Sequence, residues 1–170
     1  MTALPTDPVT SDSDDERWMA RALELARKAD AANEVPVGAV VVREGRVVGE
    51  GFNQPISGCN PIAHAEMLAL QEAARCVGNY RLPGCTLYVT LEPCTMCAGA
   101  LVHSRIDRLV YGATEPKAGA IVSAARVLEL DTMNHRIEVA GGVRGQECAD
   151  LISGFFQRRR AEKRAARGKN

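Results

Sequence analysis

Hydrophobic residues follow two different spacings along the chain, one helical and one extended. Trp18, Ala22, Leu25 and Ala29 recur every three or four positions, which is the spacing of one face of an α-helix. The segment 86–91, TLYVTL, is a short run between a glycine and a proline and predicts a strand. In chain order, the predicted elements are a helix over about 13–31, strands over 38–42 and 46–50, a helix over about 64–76, a strand over 86–91, a helix over 94–104, a strand over 108–111, a helix over about 118–128, a strand over 137–139 and a helix over about 145–163.

The order of these elements indicates the fold class. From residue 86 onward helices alternate with short strands, and parallel strands need such crossover connections. We therefore predict an α/β fold with a mixed, largely buried sheet and helices on both sides. No segment repeats and no long linker interrupts the chain, and 170 residues suit one domain.

The composition narrows the class of protein. With 46% hydrophobic and 25% charged residues, the chain has the composition of a soluble globular protein. No apolar run approaches the ~20 residues of a membrane span, and the first 16 residues contain neither a basic residue nor the apolar stretch of a secretory signal. We expect a cytoplasmic protein with no membrane partner. Residues 1–12, rich in Pro, Thr, Ser and Asp, are expected to form a disordered acidic arm.

Charge is distributed unevenly, although the formal net charge is zero. Five acids and no base lie within 1–16, whereas seven bases face only Glu162 within 157–170. Such a basic end is either a solvated helix terminus or a positive patch for phosphates. We therefore separate a domain over 13–157 from a basic helix end and tail over 158–170. The bases are Arg158, Arg159, Arg160, Lys163, Arg164, Arg167 and Lys169.

The chain has six cysteines, and at 170 residues it is expected to be cytoplasmic. A disulfide scaffold is therefore not expected, because such scaffolds belong to short secreted domains. Four stand alone and are expected to behave as small hydrophobic residues. The other two, Cys94 and Cys97, form a C-x-x-C pair directly after Pro93, at the start of a predicted helix. Exposed backbone N–H groups at a helix start favour the thiolate. Taken alone, the pair indicates either a metal site or a redox dithiol.

A second chemical motif, His64-Ala65-Glu66, is separated from Pro93 by 26 residues. One histidine and two cysteines supply the three protein ligands of a catalytic zinc site, which leaves the fourth position to water. His64 also begins a predicted helix, so two helix starts can face one metal ion. Because two thiolates neutralise the charge of Zn²⁺, this zinc is expected to be a weaker Lewis acid than one bound by three neutral histidines. Glu66 is therefore expected to carry protons rather than to act as a fourth ligand.

The pattern H-A-E followed by P-C-x-x-C resembles the zinc-dependent cytidine and deoxycytidylate deaminases. Over roughly residues 16–160 the resemblance narrows to the bacterial tRNA-specific adenosine deaminases. The matching segments are 34–39 (EVPVGA), 51–53 (GFN), 63–66 (AHAE), 80–82 (YRL), 86–94 (TLYVTLEPC), 96–100 (MCAGA) and 133–136 (MNHR).

This resemblance implies a fold, an activity and partners. The expected fold is a three-layer α/β/α sandwich around a mixed five-stranded sheet. The expected activity is hydrolytic conversion of adenosine to inosine at the wobble position, 34, of a tRNA anticodon stem-loop. The expected assembly is a homodimer with one Zn²⁺ per subunit.

The resemblance also implies roles for individual residues. His64, Cys94 and Cys97 match the zinc ligands, and Glu66 matches the proton shuttle. Asn53 matches the base-contacting asparagine of the loop after the hairpin. The further candidates for substrate contact are Val37, Ala65 and Glu115.

The chain departs from the family pattern at two places, both in the region expected to face the RNA. Glu115 stands where the family commonly has an aspartate. Val122-Ser123 stands where the family usually has Gly-Ser.

Three alternatives use the same residues. A deaminase of a free base or nucleotide, of the guanine or deoxycytidylate type, would share the zinc site. A non-catalytic zinc module would bind RNA without turnover. A dithiol redox protein would form a disulfide between Cys94 and Cys97 and hold no metal.

Overall fold

The computed structural model describes residues 12–168, and within them five strands and four α-helices form. The elements are α1 (Asp12–Ala31), β1 (Gly38–Arg43), β2 (Arg46–Phe52), α2 (Ala65–Val77), β3 (Cys85–Leu91), α3 (Thr95–Ser104), β4 (Arg108–Ala113), β5 (Glu138–Gly141) and α4 (Gly145–Arg167), with a 3₁₀ turn at Val127–Glu129 between β4 and β5.

The strands form one mixed sheet in the order β2-β1-β3-β4-β5. β1 pairs antiparallel with β2 and with β3, whereas β3 and β4, and β4 and β5, are parallel. Ala39 at the start of β1 pairs with Val89 near the end of β3. The carboxyl end of β3 therefore lies beside the amino end of β1.

Helices cover both faces of the sheet. Val40 and Tyr88 belong to the core beneath α1 and α4, whereas Val41 and Leu87 belong to the core beneath α2 and α3. Successive strand residues point to opposite faces, so a strand covered on both sides is apolar at every position. This explains the run GAVVV of β1, which is buried at every position before Arg43. The predicted α/β/α sandwich with a mixed five-stranded sheet is confirmed.

Helix α2 lies close to β2 because glycines face it. A Cβ built at Gly51 would overlap the carbonyl oxygen of Ala65 and lie 2.8 Å from the nitrogen of Ala69. The same holds for Gly49, one turn further along the helix. The backbone of α2 thus rests on the backbone of β2, and this contact sets the position of the helix start at His64.

A buried ion pair connects α1 with the middle of the sheet. Asp15 is 5% exposed and accepts hydrogen bonds from two nitrogens of Arg108, at 2.7 and 2.8 Å, and from the Tyr88 hydroxyl at 3.0 Å. Burial, together with the neighbouring Asp15 carboxylate, raises the pKa of Tyr88. The hydroxyl therefore stays protonated and donates.

The predicted helix over 118–128 is wrong. This stretch forms successive turns that end in the 3₁₀ turn Val127–Glu129. The N–H groups of Ile121, Val122 and Ser123 donate to one carboxylate oxygen of Glu92. Donors used in this way cannot bond to carbonyls four residues earlier, so the α-helical ladder does not form.

The other predicted elements are confirmed, with differences at their ends. β5 covers Glu138–Gly141 rather than 137–139, and α4 continues unbroken past residue 157 to Arg167 instead of ending near 163. Of the predicted arm over 1–12, only Asp12 lies within the described residues, as the first residue of α1. Among the helices of residues 12–168, none combines the length and hydrophobicity that crossing a membrane requires.

Candidate active site

Two helix starts bring the sequence motifs together. His64 is the N-cap of α2 and Cys94 is the N-cap of α3, both with extended backbone (ψ 153° and 176°). Neither side chain caps its own helix, so the imidazole and the thiol are available as ligands. Glu66 lies in the first turn of α2 and Cys97 in the first turn of α3.

The atoms of His64, Cys94 and Cys97 have the spacing of a tetrahedral zinc site. All three lie within 4.8 Å of one another. His64 Nδ1 is 3.7 Å from Cys94 Sγ and 3.6 Å from Cys97 Sγ. Zn–N and Zn–S bonds of ~2.0 and ~2.3 Å at a tetrahedral angle separate nitrogen from sulfur by about 3.5 Å. The three side chains therefore fit zinc as they stand.

The two thiols differ in proton affinity. The hydrogen bond from Cys97, followed by the one from His64, lowers the pKa of Cys94 to about 3. The same bond to Cys94, together with burial, raises the pKa of Cys97. Cys94 is thus a thiolate at neutral pH, while Cys97 loses its proton when a metal ion binds.

Glu66 is a buried carboxylate beside the three ligands. It is 4% exposed and lines the same cavity as His64 and Cys94. Burial raises the pKa of the Glu66 carboxyl group to about 7. A carboxyl group of this pKa can accept and donate a proton near neutral pH, which suits a proton carrier.

A cavity of about 320 Å³ opens beside the ligands. It lies where β3 ends and β1 begins, at the edge of the sheet where α/β proteins commonly bind ligands. The lining residues are Glu34, Val35, Val37, Asn53, Pro55, Ile56, His64, Glu66, Leu91, Glu92, Cys94, Glu115 and Ala118.

Asn53 connects the cavity with the start of α2. It is 8% exposed, and its Oδ1 accepts a hydrogen bond from the N–H of Ala65 at 2.9 Å. Because the oxygen is used in this way, the Nδ2 group is left to donate, and no partner for it occurs in residues 12–168. An amide donor in the lining suits a ring nitrogen of a base.

The structure brings two of the three further candidates to the cavity. Val37, 4% exposed, lines it on the β1 side, and the half-buried Glu115 lines it on the β4 side. Ala65 is fully buried in the core and its N–H is bonded to Asn53. Its side chain does not reach the cavity, so a substrate contact of Ala65 stays a prediction without support from this geometry.

Glu92 is a residue of the site that the motifs did not single out. It is 2% exposed and accepts five hydrogen bonds, all from residues after β4. Burial opposes the charge of Glu92, but the hydrogen bonds outweigh burial and hold its pKa below the usual range. The sequence feature that could have identified Glu92 is an acidic residue placed directly between a buried strand and Pro93-Cys94.

Comparison with known sequences assigns the chain to a family. Residues 12–113, which include both motifs, match the cytidine and deoxycytidylate deaminase zinc-binding region. The tRNA-specific adenosine deaminase of Haemophilus influenzae is 54% identical over 151 residues, which cover 88% of this chain and 87% of that protein. That of Bacillus subtilis is 45% identical over 153 residues, which cover 90% and 95%.

Solved structures agree with the sequence comparison. A chain from a study of A-to-I editing by tRNA:A34 deaminases at the wobble position of transfer RNA has a TM-score of 0.78 and 44% identity, covering 79% of this chain and 98% of that one. Guanine deaminase from Bacillus subtilis has a TM-score of 0.57 and 38% identity, covering 58% and 64%. The present chain therefore belongs to the zinc-binding cytidine and deoxycytidylate deaminase family, and within it to the tRNA-specific adenosine deaminases.

Proposed function

We propose that this chain is a hydrolytic deaminase that converts adenosine to inosine at the wobble position, 34, of a tRNA. The observation that carries the proposal is the arrangement of three zinc-ligand atoms and the buried carboxylate of Glu66 around one cavity. Relatives that match most of the chain and are tRNA-specific adenosine deaminases support the choice of substrate.

His64, Cys94 and Cys97 would hold the zinc. When bound there, zinc supplies a Lewis acid that lowers the pKa of a water molecule. Two thiolates and a neutral imidazole leave the centre formally uncharged, which suits an uncharged purine. Because the chain supplies only three protein ligands, a bound zinc would remain able to act on a water molecule.

Glu66 moves the protons. The reaction forms a bond between adenine C6 and the oxygen of water and breaks the bond between C6 and the exocyclic nitrogen, which leaves as ammonia. Glu66 takes up the protons of the water and delivers one to ring nitrogen N1 and one to the departing amine. The adenine is thereby converted to hypoxanthine with all atoms and protons balanced.

The rest of the cavity holds the base. Apolar side chains such as Val37 and Leu91 contact the base, and the Asn53 amide donates to a ring nitrogen. The base must leave its stack to enter, which costs a few kcal/mol and less for an unpaired nucleotide of an anticodon loop.

The basic end of α4 favours RNA over a free base as the substrate. Phe155 is the last buried residue of α4, and every later residue of the described chain is exposed. Arg160, Lys163, Arg164 and Arg167 lie within about 100° of one another around the helix. None of the four has an ion pair within residues 12–168. Such a row of unpaired cations suits RNA phosphates.

The family resemblance adds the finer parts of this proposal. The recognised element of the tRNA is the anticodon stem-loop. The chain acts as a homodimer with one zinc per subunit, in the cytoplasm.

The test compares an anticodon stem-loop carrying A34 with the same loop carrying G34 and with free adenosine, guanine and deoxycytidylate. We expect ammonia release, and inosine at position 34 on sequencing, with the A34 loop alone. Ammonia from guanine or deoxycytidylate and none from the RNA would replace the proposal with a free-base or nucleotide deaminase.

Glu66→Gln tests the proton carrier, because an amide cannot take up the proton of the water. We expect a zinc content equal to that of the wild type and no turnover. Wild-type protein that binds zinc and RNA but releases no ammonia would contradict an enzymatic role. A reducible disulfide without bound metal would favour the dithiol alternative.

A further inference from the structure

The loop after β4, residues 114–125, contributes Glu115 and Ala118 to the cavity. We infer that Glu92 is a positioning residue that sets where this loop lies, and thereby how closely the cavity surrounds the substrate. This inference rests on the proposed function, since the RNA serves as the test substrate.

Glu92 holds both ends of the loop with its two oxygens. Oε2 accepts from the N–H of Glu115 at 2.9 Å and from the Ser123 hydroxyl. Oε1 accepts from the N–H groups of Ile121, Val122 and Ser123 at 3.1, 2.8 and 3.0 Å. The cavity-lining segment 115–118 begins at the first donor, Glu115, and precedes the other donors at 121–123. One side chain thus determines the path of one wall of the cavity.

Packing around the carboxylate supports the same conclusion independently. A Cβ built at Gly119 would overlap the Glu92 carboxylate. The N–H of Ala120 donates to the carbonyl of Pro93 at 2.8 Å. The loop therefore lies directly against the two residues that precede the ligand Cys94.

The kind of bonding shows why an acid is required at this position. Glu92 is 2% exposed, and within residues 12–168 no lysine or arginine pairs with it. Four backbone N–H groups and one hydroxyl balance its charge instead. Only a carboxylate offers two acceptor oxygens without a donor in this space. A residue of the same size with an amide leaves one of the loop ends without its acceptor.

Glu92→Gln is the direct test. We expect the KM for the A34 stem-loop to rise about tenfold, which is the effect of losing about one hydrogen bond to a charged group. We expect kcat to stay within about threefold, because His64, Cys94, Cys97 and Glu66 are untouched. The zinc content is expected to be unchanged. A purely structural role would lower the yield or the Tm without this split between KM and kcat.

Two further variants bracket the result. In Gly119→Ala, the added methyl group would overlap the Glu92 carboxylate, while Glu92 itself is retained. We expect a similar rise in KM. Glu72→Gln is the matched control, because Glu72 is an exposed carboxylate outside the cavity lining that accepts a backbone hydrogen bond from Glu50. We expect Glu72→Gln to have the kinetics of the wild type.

Amide hydrogen exchange measures the contact itself. In the wild-type protein, the amides of Glu115, Ile121, Val122 and Ser123 are expected to exchange slowly, and in Glu92→Gln at least one end of the loop is expected to exchange faster. Fast exchange of all four amides in the wild type would overturn the inference even if no RNA is deaminated. This measurement and the Gly119→Ala kinetics decide the matter if Glu92→Gln does not fold.

The outcomes separate this inference from the proposed function. A wild-type KM in folded, zinc-loaded Glu92→Gln and Gly119→Ala would overturn the positioning role. Loss of zinc from Glu92→Gln would also overturn it, because Glu92 would then act on the metal site. A wild-type protein that does not deaminate the A34 stem-loop would instead refute the proposed function.

Discussion

Replacing Gly51 by alanine is expected to displace the helix that carries His64. The added Cβ would overlap the carbonyl oxygen of Ala65 and lie 2.8 Å from the nitrogen of Ala69. Both are backbone atoms, so no side-chain rotation relieves the contact. Non-bonded heavy atoms prefer separations of ~3.5 Å, so α2 has to move by about 0.5 Å or more.

The size of this shift determines the effect on zinc. A metal site tolerates displacements of about 0.2 Å in its ligand distances. A shift of the start of α2 therefore moves His64 Nδ1 out of its bonding position. We expect zinc affinity to fall about tenfold or more, as it does when the support of a metal ligand is changed. The overpacked contact itself is expected to lower the free energy of unfolding by about 1–3 kcal/mol.

Competition with a chromophoric chelator measures zinc affinity, and thermal unfolding measures stability. Gly154→Ala is the matched control, because Gly154 lies in α4 and a Cβ there meets nothing within 4 Å. This control is expected to keep wild-type zinc affinity and to gain up to about 1 kcal/mol of stability. Wild-type zinc affinity and Tm in Gly51→Ala would refute the claim that the close contact with β2 positions His64.

Three further predictions follow from other parts of the molecule. Asp15→Ala leaves its buried partners without their acceptor and should cost about 3–5 kcal/mol in urea unfolding; a loss below about 1 kcal/mol would contradict the ion pair's role. Removal of zinc with a chelator should abolish deamination and lower the Tm, with both restored by Zn²⁺; activity in metal-free protein would contradict a catalytic metal. Changing Arg160 and Lys163 to glutamine should reduce the slope of log affinity against log salt by about 0.7–0.9 per lost phosphate contact. The same change at Arg159, which pairs with Glu162, should reduce it less, and an unchanged slope in the double variant would indicate a solvated helix end.

The parts of the site that local chemistry defines were predictable from the sequence. Cys94 and Cys97 lie within one helical turn, so their spacing indicates either a shared metal ion or a redox dithiol. His64 is distant in sequence, and it was predicted to join them because a catalytic zinc site requires a third protein ligand and because each motif lies at a helix start. The sheet was predictable for a similar reason, since a strand such as GAVVVR can only be covered on both faces.

The parts that depend on distant partners were not predictable. Residues 118–128 have the apolar spacing of a helix, but a carboxylate more than 20 residues earlier takes their N–H groups. No local pattern contains that information. The position of the Ala65 side chain was not predictable from the motif either. The rotation of α2 about its axis places Ala65 in the core, whereas Glu66 faces the cavity.

The use of backbone donors by Glu92 has a consequence for variation in sequence. Four of its five partners are N–H groups, which every residue except proline provides, and only Ser123 contributes a side chain. The exposed side chain at 122 can therefore change while the path of the loop is kept, whereas Ile121 is also held by its burial in the core. Substrate preference can thus diverge by substitution along this wall of the cavity while the zinc ligands stay where they are.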